Sequence, residues 1–288
     1  EVHTVYVSDN VVDQSGSNDD SRKWGRGSGL WTWGSSHVLI EKNQFRNANG
    51  PGDSAGAHID FNCDNVVIQY NLSMHNAGGF CEILGNNYNC AYRYNISVND
   101  GYRIKGEKGA FQEGKTIWLS GYVGNNRPKK GPVNTYIYNN TIFCDASMEP
   151  KIAIEPTSSG ILIANNIFYL QRPMKWVAGD QEKRESKTAA PANNVLISNN
   201  LFYQKDTWPA AMNYENFHPQ YGNPGFSWPQ ADVWKAFMPG HKALVSGKGL
   251  IITKIPGDTT GLLGTVHMKL DIMGNPIADI PAIGAIEP

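Results

Sequence analysis

The chain has 288 residues, 40% of them hydrophobic, and a formal net charge of −1. That is enough apolar material for a sizeable core, in one large domain or two, and it leaves no basic excess to neutralise the phosphates of a nucleic acid. No apolar run approaches the roughly 18 residues of a membrane helix, and no signal peptide opens the chain.

From the N terminus, EVHTVYVSDNVV already reads in mid-pattern, without a start methionine. Earlier coils and an export signal are therefore expected to precede Glu1, which places the protein outside the cytoplasm: secreted, periplasmic or on the cell surface. The pattern is a short alternating apolar run, then asparagine, then an apolar pair. It recurs as VYVSDNVV, VLIEKNQF, VVIQYNLS, CAYRYNIS, TYIYNNTI, ILIANNIF and VLISNNLF, with its asparagines at Asn10, Asn43, Asn71, Asn95, Asn140, Asn166 and Asn200. The intervals are 33, 28, 24, 45, 26 and 34 residues. The shortest cannot hold a βαβ unit of about 30 or more residues, and the alternation has the strand period. Each interval therefore reads as one coil of a parallel β-solenoid, stacked so that the coils share a core none could form alone. The longest interval carries an insert between Tyr102 and Pro132.

NVVIQYN, GILIANNIF and NNVLISNNLF resemble the right-handed parallel β-helix repeats of bacterial polysaccharide-degrading enzymes, over residues from about Val5 to Phe202. The resemblance implies an all-β fold in which the asparagines form a side-chain amide ladder, satisfying turn backbone groups that would otherwise lack partners. They are scaffold. Residues 1–203 are expected to be coils. Residues 204–288, rich in proline and aromatics, read as an irregular C-terminal cap over the last coil, with a short helix near residues 231–237. Cys63, Cys81, Cys90 and Cys144 lack metal-type spacing. They read as buried small residues, with a Cys63–Cys90 disulfide left open.

Counting back thirteen residues from Asn43, Asn71 and Asn95 gives Leu30, His58 and Glu82; counting back eleven gives Thr32, Asp60 and Leu84. The same count from Asn166 gives Ala153 and Glu155. Strand parity turns Trp31, Trp33, Ile59, Phe61 and Ile83 inward and His58, Asp60 and Glu82 outward. Coils about 4.8 Å apart put Glu82 beside His58 and diagonal to Asp60.

Two carboxyls facing one groove are what glycoside hydrolysis needs, with one protonated and the other acting as nucleophile or base. Asp60 is assigned as nucleophile or base, Glu82 as general acid and His58 as the neighbour that tunes them, with no cofactor required. The substrate is then a polysaccharide or oligosaccharide. Arg103, Lys105, His75, Lys115, Trp118, Tyr122 and Glu155 are candidates for binding it, with Trp176 a further stacking aromatic. His75 also fits a second turn stack with Asn47 and Asn99. The alternative enzyme is a polysaccharide lyase. Arg103 and Lys105 would neutralise a uronate, with Tyr102, Lys115 or His75 as base, and Asp60, Asn62 and Glu82 would hold Ca2+ through oxygen ligands. A solenoid that only binds glycan is the third reading.

Overall fold

The computed structural model describes residues 2–16, 27–177, 191–229 and 232–288. Among them the fold is all-β, built on three parallel sheets. Each of the first six coils gives one strand to each sheet in turn, and the pairing beyond them adds strands to the first two sheets only. The first coil runs through Val2–Ser8, Val11–Asp13 and Leu30–Thr32, the second through Ser35–Glu41, Gln44–Arg46 and Ala57–Ile59. Two sheets have eight strands and the third has six, ending at Lys175–Trp176. This topology is compatible with a parallel β-helix. No helix among the described residues is long and apolar enough to cross a membrane.

Register carries the core. Val7, Ile40, Ile68, Tyr92, Ile137, Ile163 and Ile197 are direct partners on successive strands of the first sheet. They pack with Ile59, Ile83, Ile117 and Ile152 of the third sheet in one apolar cluster. The asparagine ladder is complete: each Oδ1 from Asn43 to Asn200 accepts both the backbone N–H and the Nδ2 of the asparagine one coil earlier, at 2.8–3.1 Å. The residue before each rung sits in the left-handed region, φ +51° to +59°, and three of these are Lys42, Tyr70 and Tyr94. Side chains that disfavour positive φ are tolerated because the ladder fixes the turn around them.

The C-terminal tract differs from its expected role. Strand pairing runs past residue 203, through Asn216–Phe217 and Gln220–Tyr221. Trp208, Met212 and Tyr214 then plug the end of the core, as a cap would. The rest of the tract turns back along the sides of the coils. Ile252, Ile255, Leu262 and Val266 cover the outer residues Val67, Ala91, Tyr136 and Leu162 of the first sheet. Phe237 and Ile286 cover Leu72, Ile96, Val98 and Phe143 of the second. Backbone acceptors in the tail tie it down, with Tyr138 Oη donating to Val266 O at 2.9 Å and Asn139 Nδ2 to Ala282 O at 2.9 Å. The short helix forms at Val233–Ala236, capped by the Asp232 carboxylate; Ala231 lies outside the described residues. Among the described residues, the tail therefore packs on the outer faces of the first two sheets and not on that of the third.

All four cysteines are buried and free, so the Cys63–Cys90 bridge is not made. Reducing agent is accordingly expected to leave the thermal midpoint within about 1 °C. A bridge closing that loop would add about 3 kcal/mol and several degrees, and a fall of that size on reduction would show that a bridge forms.

Candidate active site

The third sheet sets two outward rows. In the first, Trp31 pairs with His58, Glu82 with Trp118, and Trp118 with Ala153, while the Ile59–Ile83 pairing puts His58 level with Glu82. Two residues on, Trp33, Asp60, Leu84, Ser120 and Glu155 form the second row. It is held by N–H donation from Asp60 to Thr32 O (2.8 Å), Leu84 to Ile59 O (2.9 Å), Ser120 to Ile83 O (2.9 Å) and Glu155 to Leu119 O (2.9 Å). Glu82 thus sits beside His58 and diagonal to Asp60, as expected, with Cα atoms about 8 Å apart from one coil spacing and two residues of rise.

The first coil departs from the expected register. Thr32 and Ser36 pair with Ile59 and Asp64, so the turn between them is one residue shorter than its neighbour. Counting back from Asn43 therefore overshoots by one. Trp31 and Trp33 come outward, 56% and 61% exposed, and Thr32 turns in. The Trp31 indole lies nearly parallel to the His58 ring, centroids 6.4 Å apart.

Glu82 is 3% exposed. Burial pushes its carboxyl up to about 8; Asp53 and Asp60 push the same way, while Lys115 and Arg103 oppose. An acid in that range stays mostly protonated at neutral pH. Asp60 is half-buried, and its Oδ1 accepts the Phe61 N–H at 2.8 Å. Lys115 is buried with Nζ 4.1 Å from the centre of the Trp118 ring, the next outward residue beside Glu82.

Several expected binding residues have other tasks. Arg103 is buried, and its guanidinium donates to Gln112 O (2.8 Å), Gly50 O (3.0 Å) and Asp53 O (3.0 Å). It fastens the 101–114 excursion to the preceding loop and has little left for a substrate. The excursion is pinched shut at Gly114, where a Cβ would come within 2.4 Å of Ala77 O and 2.7 Å of Gly101 O. Lys105 is exposed on that excursion, its backbone N–H reaching Glu113 Oε2 at 3.3 Å. His75 belongs to the turn stack with Asn47 and Asn99, all three at φ +52° to +56°. It is half-buried there, before the third-sheet strand begins at Gly79, and burial lowers its imidazole.

Trp118 is buried among Leu84, Ala153 and Tyr122 and offers no open platform. Tyr122 is half-buried, edge-on to Phe61 at 5.6 Å, with Oη donating to Asn125 Oδ1 at 3.1 Å. Trp176 pairs with Ile152 at the last third-sheet strand, at the sheet's edge. Glu155 lies three coils from Asp60, about 14 Å along the sheet, and sits 3.6 Å from Lys129 Nζ. Asn62 occupies a turn at φ +64°, its Oδ1 taken by Asn86 Nδ2 at 2.6 Å. The Ca2+ set Asp60, Asn62 and Glu82 is therefore not brought together. Among the described residues no group of three or more His, Cys, Asp or Glu side chains is placed to hold a metal ion.

Two features escape the sequence pattern. Asp53, in the PGDSAG turn, is the strongest charged neighbour of Glu82; its only signal is an acid just ahead of the strand that carries His58. A second ladder runs from the Ala48 N–H through Asn76 and ends on Asp100, whose Oδ1 accepts Asn76 N and Nδ2, both at 2.9 Å, and whose Oδ2 accepts Ser97 Oγ at 2.7 Å. No protein-family model matches the chain, and no curated protein matches it either.

Proposed function

We propose that the protein is a carbohydrate-active enzyme on a right-handed parallel β-helix, exported to act on a polysaccharide or oligosaccharide, and that it hydrolyses glycosidic bonds. The observation that carries this is Glu82. A buried carboxyl, pushed by that burial toward its protonated form and diagonal to the more open Asp60, sits on an outer face that the described part of the tail does not cover. Glu82 would protonate the leaving oxygen and Asp60 would act as nucleophile or base. His58 backs Glu82 from the adjacent coil, and the exposed indoles of Trp31 and Trp33 offer faces on which a sugar ring can stack. With Glu82 3% exposed, a sugar reaches it only when the side chains above it give way.

The reaction class is read from the products of a panel of neutral, uronic and sulfated polysaccharides. New reducing ends without ultraviolet-absorbing unsaturation are expected. Unsaturated products would make it a lyase, with buried Lys115 neutralising the uronate, since Arg103 is engaged by carbonyls. Binding without products on the whole panel would leave only a glycan-binding solenoid. Trp31→Ala should keep stability within about 0.5 kcal/mol, because the ring is exposed, and raise KM about fivefold with kcat little changed. An unaltered KM would remove Trp31 from the site.

A further inference from the structure

Next to Asp60, at the turns that follow the Ala57–Ile59 and Gly79–Ile83 strands and are lined by Asn62 and Asn86, lies a cavity of about 590 Å3, within the range of about 300–1,000 Å3 usual for ligand sites. Its wall begins at Phe61, the residue after Asp60, and is completed by Val123 and by Arg127, Lys129 and Lys130 of the insert after Leu119. The insert is anchored by its backbone. Gly85 N–H donates to Tyr122 O (2.9 Å), Asn86 N–H to Lys130 O (2.7 Å), and Lys130 N–H to Gly121 O (3.0 Å). The cations are thus presented on a loop fixed by main-chain bonds that no side-chain change removes.

The local charge contradicts the near-neutral whole. Between Glu113 and Asp145 the chain carries Lys115, Arg127, Lys129 and Lys130 and no carboxylate. Glu155 answers Lys129 at 3.6 Å. Lys130 Nζ stands 5.3 Å from the centre of the Tyr88 ring, and no carboxylate pairs with Arg127 or Lys130 among the described residues. An aromatic row, Trp33 to Phe61 at 5.9 Å and Phe61 to Tyr122 at 5.6 Å, leads from the open face to this wall. Aromatic faces next to unanswered cations suit a sugar ring that bears an anionic group.

We propose that this cavity is an anionic subsite, binding the carboxylate of a uronate or the sulfate ester of a sulfated sugar one unit away from the bond at Asp60 and Glu82. It rests on the carbohydrate reading above and fixes the substrate class within it as an acidic polysaccharide.

The full chain, run through native gels cast with polygalacturonate, dextran sulfate or neutral dextran at ~0.15 M salt, should be retarded by an anionic polymer and not by dextran. Which anionic polymer retards it separates carboxylate from sulfate. Arg127→Ala/Lys130→Ala, both exposed and outside the core, should weaken retardation about tenfold; Arg127→Lys/Lys130→Arg should stay within about twofold. A Lys242→Ala/Lys248→Ala control on the tail should behave as wild type. Absence of retardation by both anionic polymers, an equal loss in the tail control, or tighter capture of single-stranded oligothymidylate would overturn the subsite. Because retardation needs no turnover, a failed subsite leaves the acid pair to the product assay, and a failed acid pair leaves the subsite standing.

Discussion

Glu82→Gln should lower kcat on a natural polysaccharide by about a thousandfold, the loss expected when a positioned general acid is removed. The amide matches the carboxyl in shape but has no proton to give. Asp60→Asn should cost at least as much, because it removes the nucleophile or base itself. An aryl glycoside with an acidic leaving group separates the two roles. Its departure needs no protonation, so Glu82→Gln should recover most of its rate on that substrate and Asp60→Asn should not. Near-wild-type turnover of the natural polymer by either variant would take that residue out of the chemistry.

The same carboxyl sets a pH dependence in which activity and stability both fall as pH rises. Glu82 stands at about 8 in the folded chain against an ordinary 4.5. Activity needs the protonated form, so kcat/KM should fall as pH rises through about 8. For stability, the folded state holds a proton that the unfolded chain releases above 4.5. Its contribution is complete below that value and is lost as pH climbs toward 8, by about 1.4 kcal/mol per unit. Glutamine is exempt from this loss. Glu82→Gln should therefore be more stable than wild type by roughly 3 kcal/mol at pH 7 and equal to it at pH 4, which denaturant titrations at the two pH values measure. A variant less stable at pH 7 would mean instead that the carboxyl is ionised and held by Lys115.

The coil repeat was legible because burial imposes its period directly. The apolar alternation and all seven rung asparagines stand where the pattern puts them. The relative register of His58, Asp60 and Glu82 is legible because the turns after Ile59 and Ile83 have equal length, Asp64 and Tyr88 being direct partners. The inward parity expected for Trp31 and Trp33 fails because the turn after Thr32 is one residue shorter, and a single deletion reverses the parity of a whole strand. Exposure of Arg103 and Trp118 was not legible either. Whether an outward residue meets water depends on loops laid over it, and the Gly101–Gly114 excursion has no period to read. The path of the tail was hidden for the same reason: its contacts with Val67 or Tyr138 span more than a hundred residues and leave no local mark.

Asn140→Ala should destabilise the fold by about 4 kcal/mol or more, while Asn10→Ala should cost about 1 kcal/mol or less. Both substitutions delete one rung of the same ladder, yet their surroundings differ. Asn140 is fully buried; its Oδ1 accepts Asn95 N and Nδ2, and its Nδ2 donates to Tyr92 O at 2.9 Å, Tyr138 O at 3.2 Å and Asn166 Oδ1 at 2.9 Å. Alanine strands two donors of Asn95 and two carbonyls where water does not reach, at about 1–3 kcal/mol for each group left without a partner. In the 288-residue chain Asn10 is exposed and donates to Asn43 Oδ1 and Ser8 O, so in that chain water replaces what it loses. Denaturant midpoints at constant m-value compare the two. Equal midpoints would mean that the stacked apolar columns hold the coils in register and the amide ladder adds little. A large gap would place the register in the ladder, and with it the alignment of His58, Glu82 and Asp60, since the level of each outward row follows from how its coil is seated on the next.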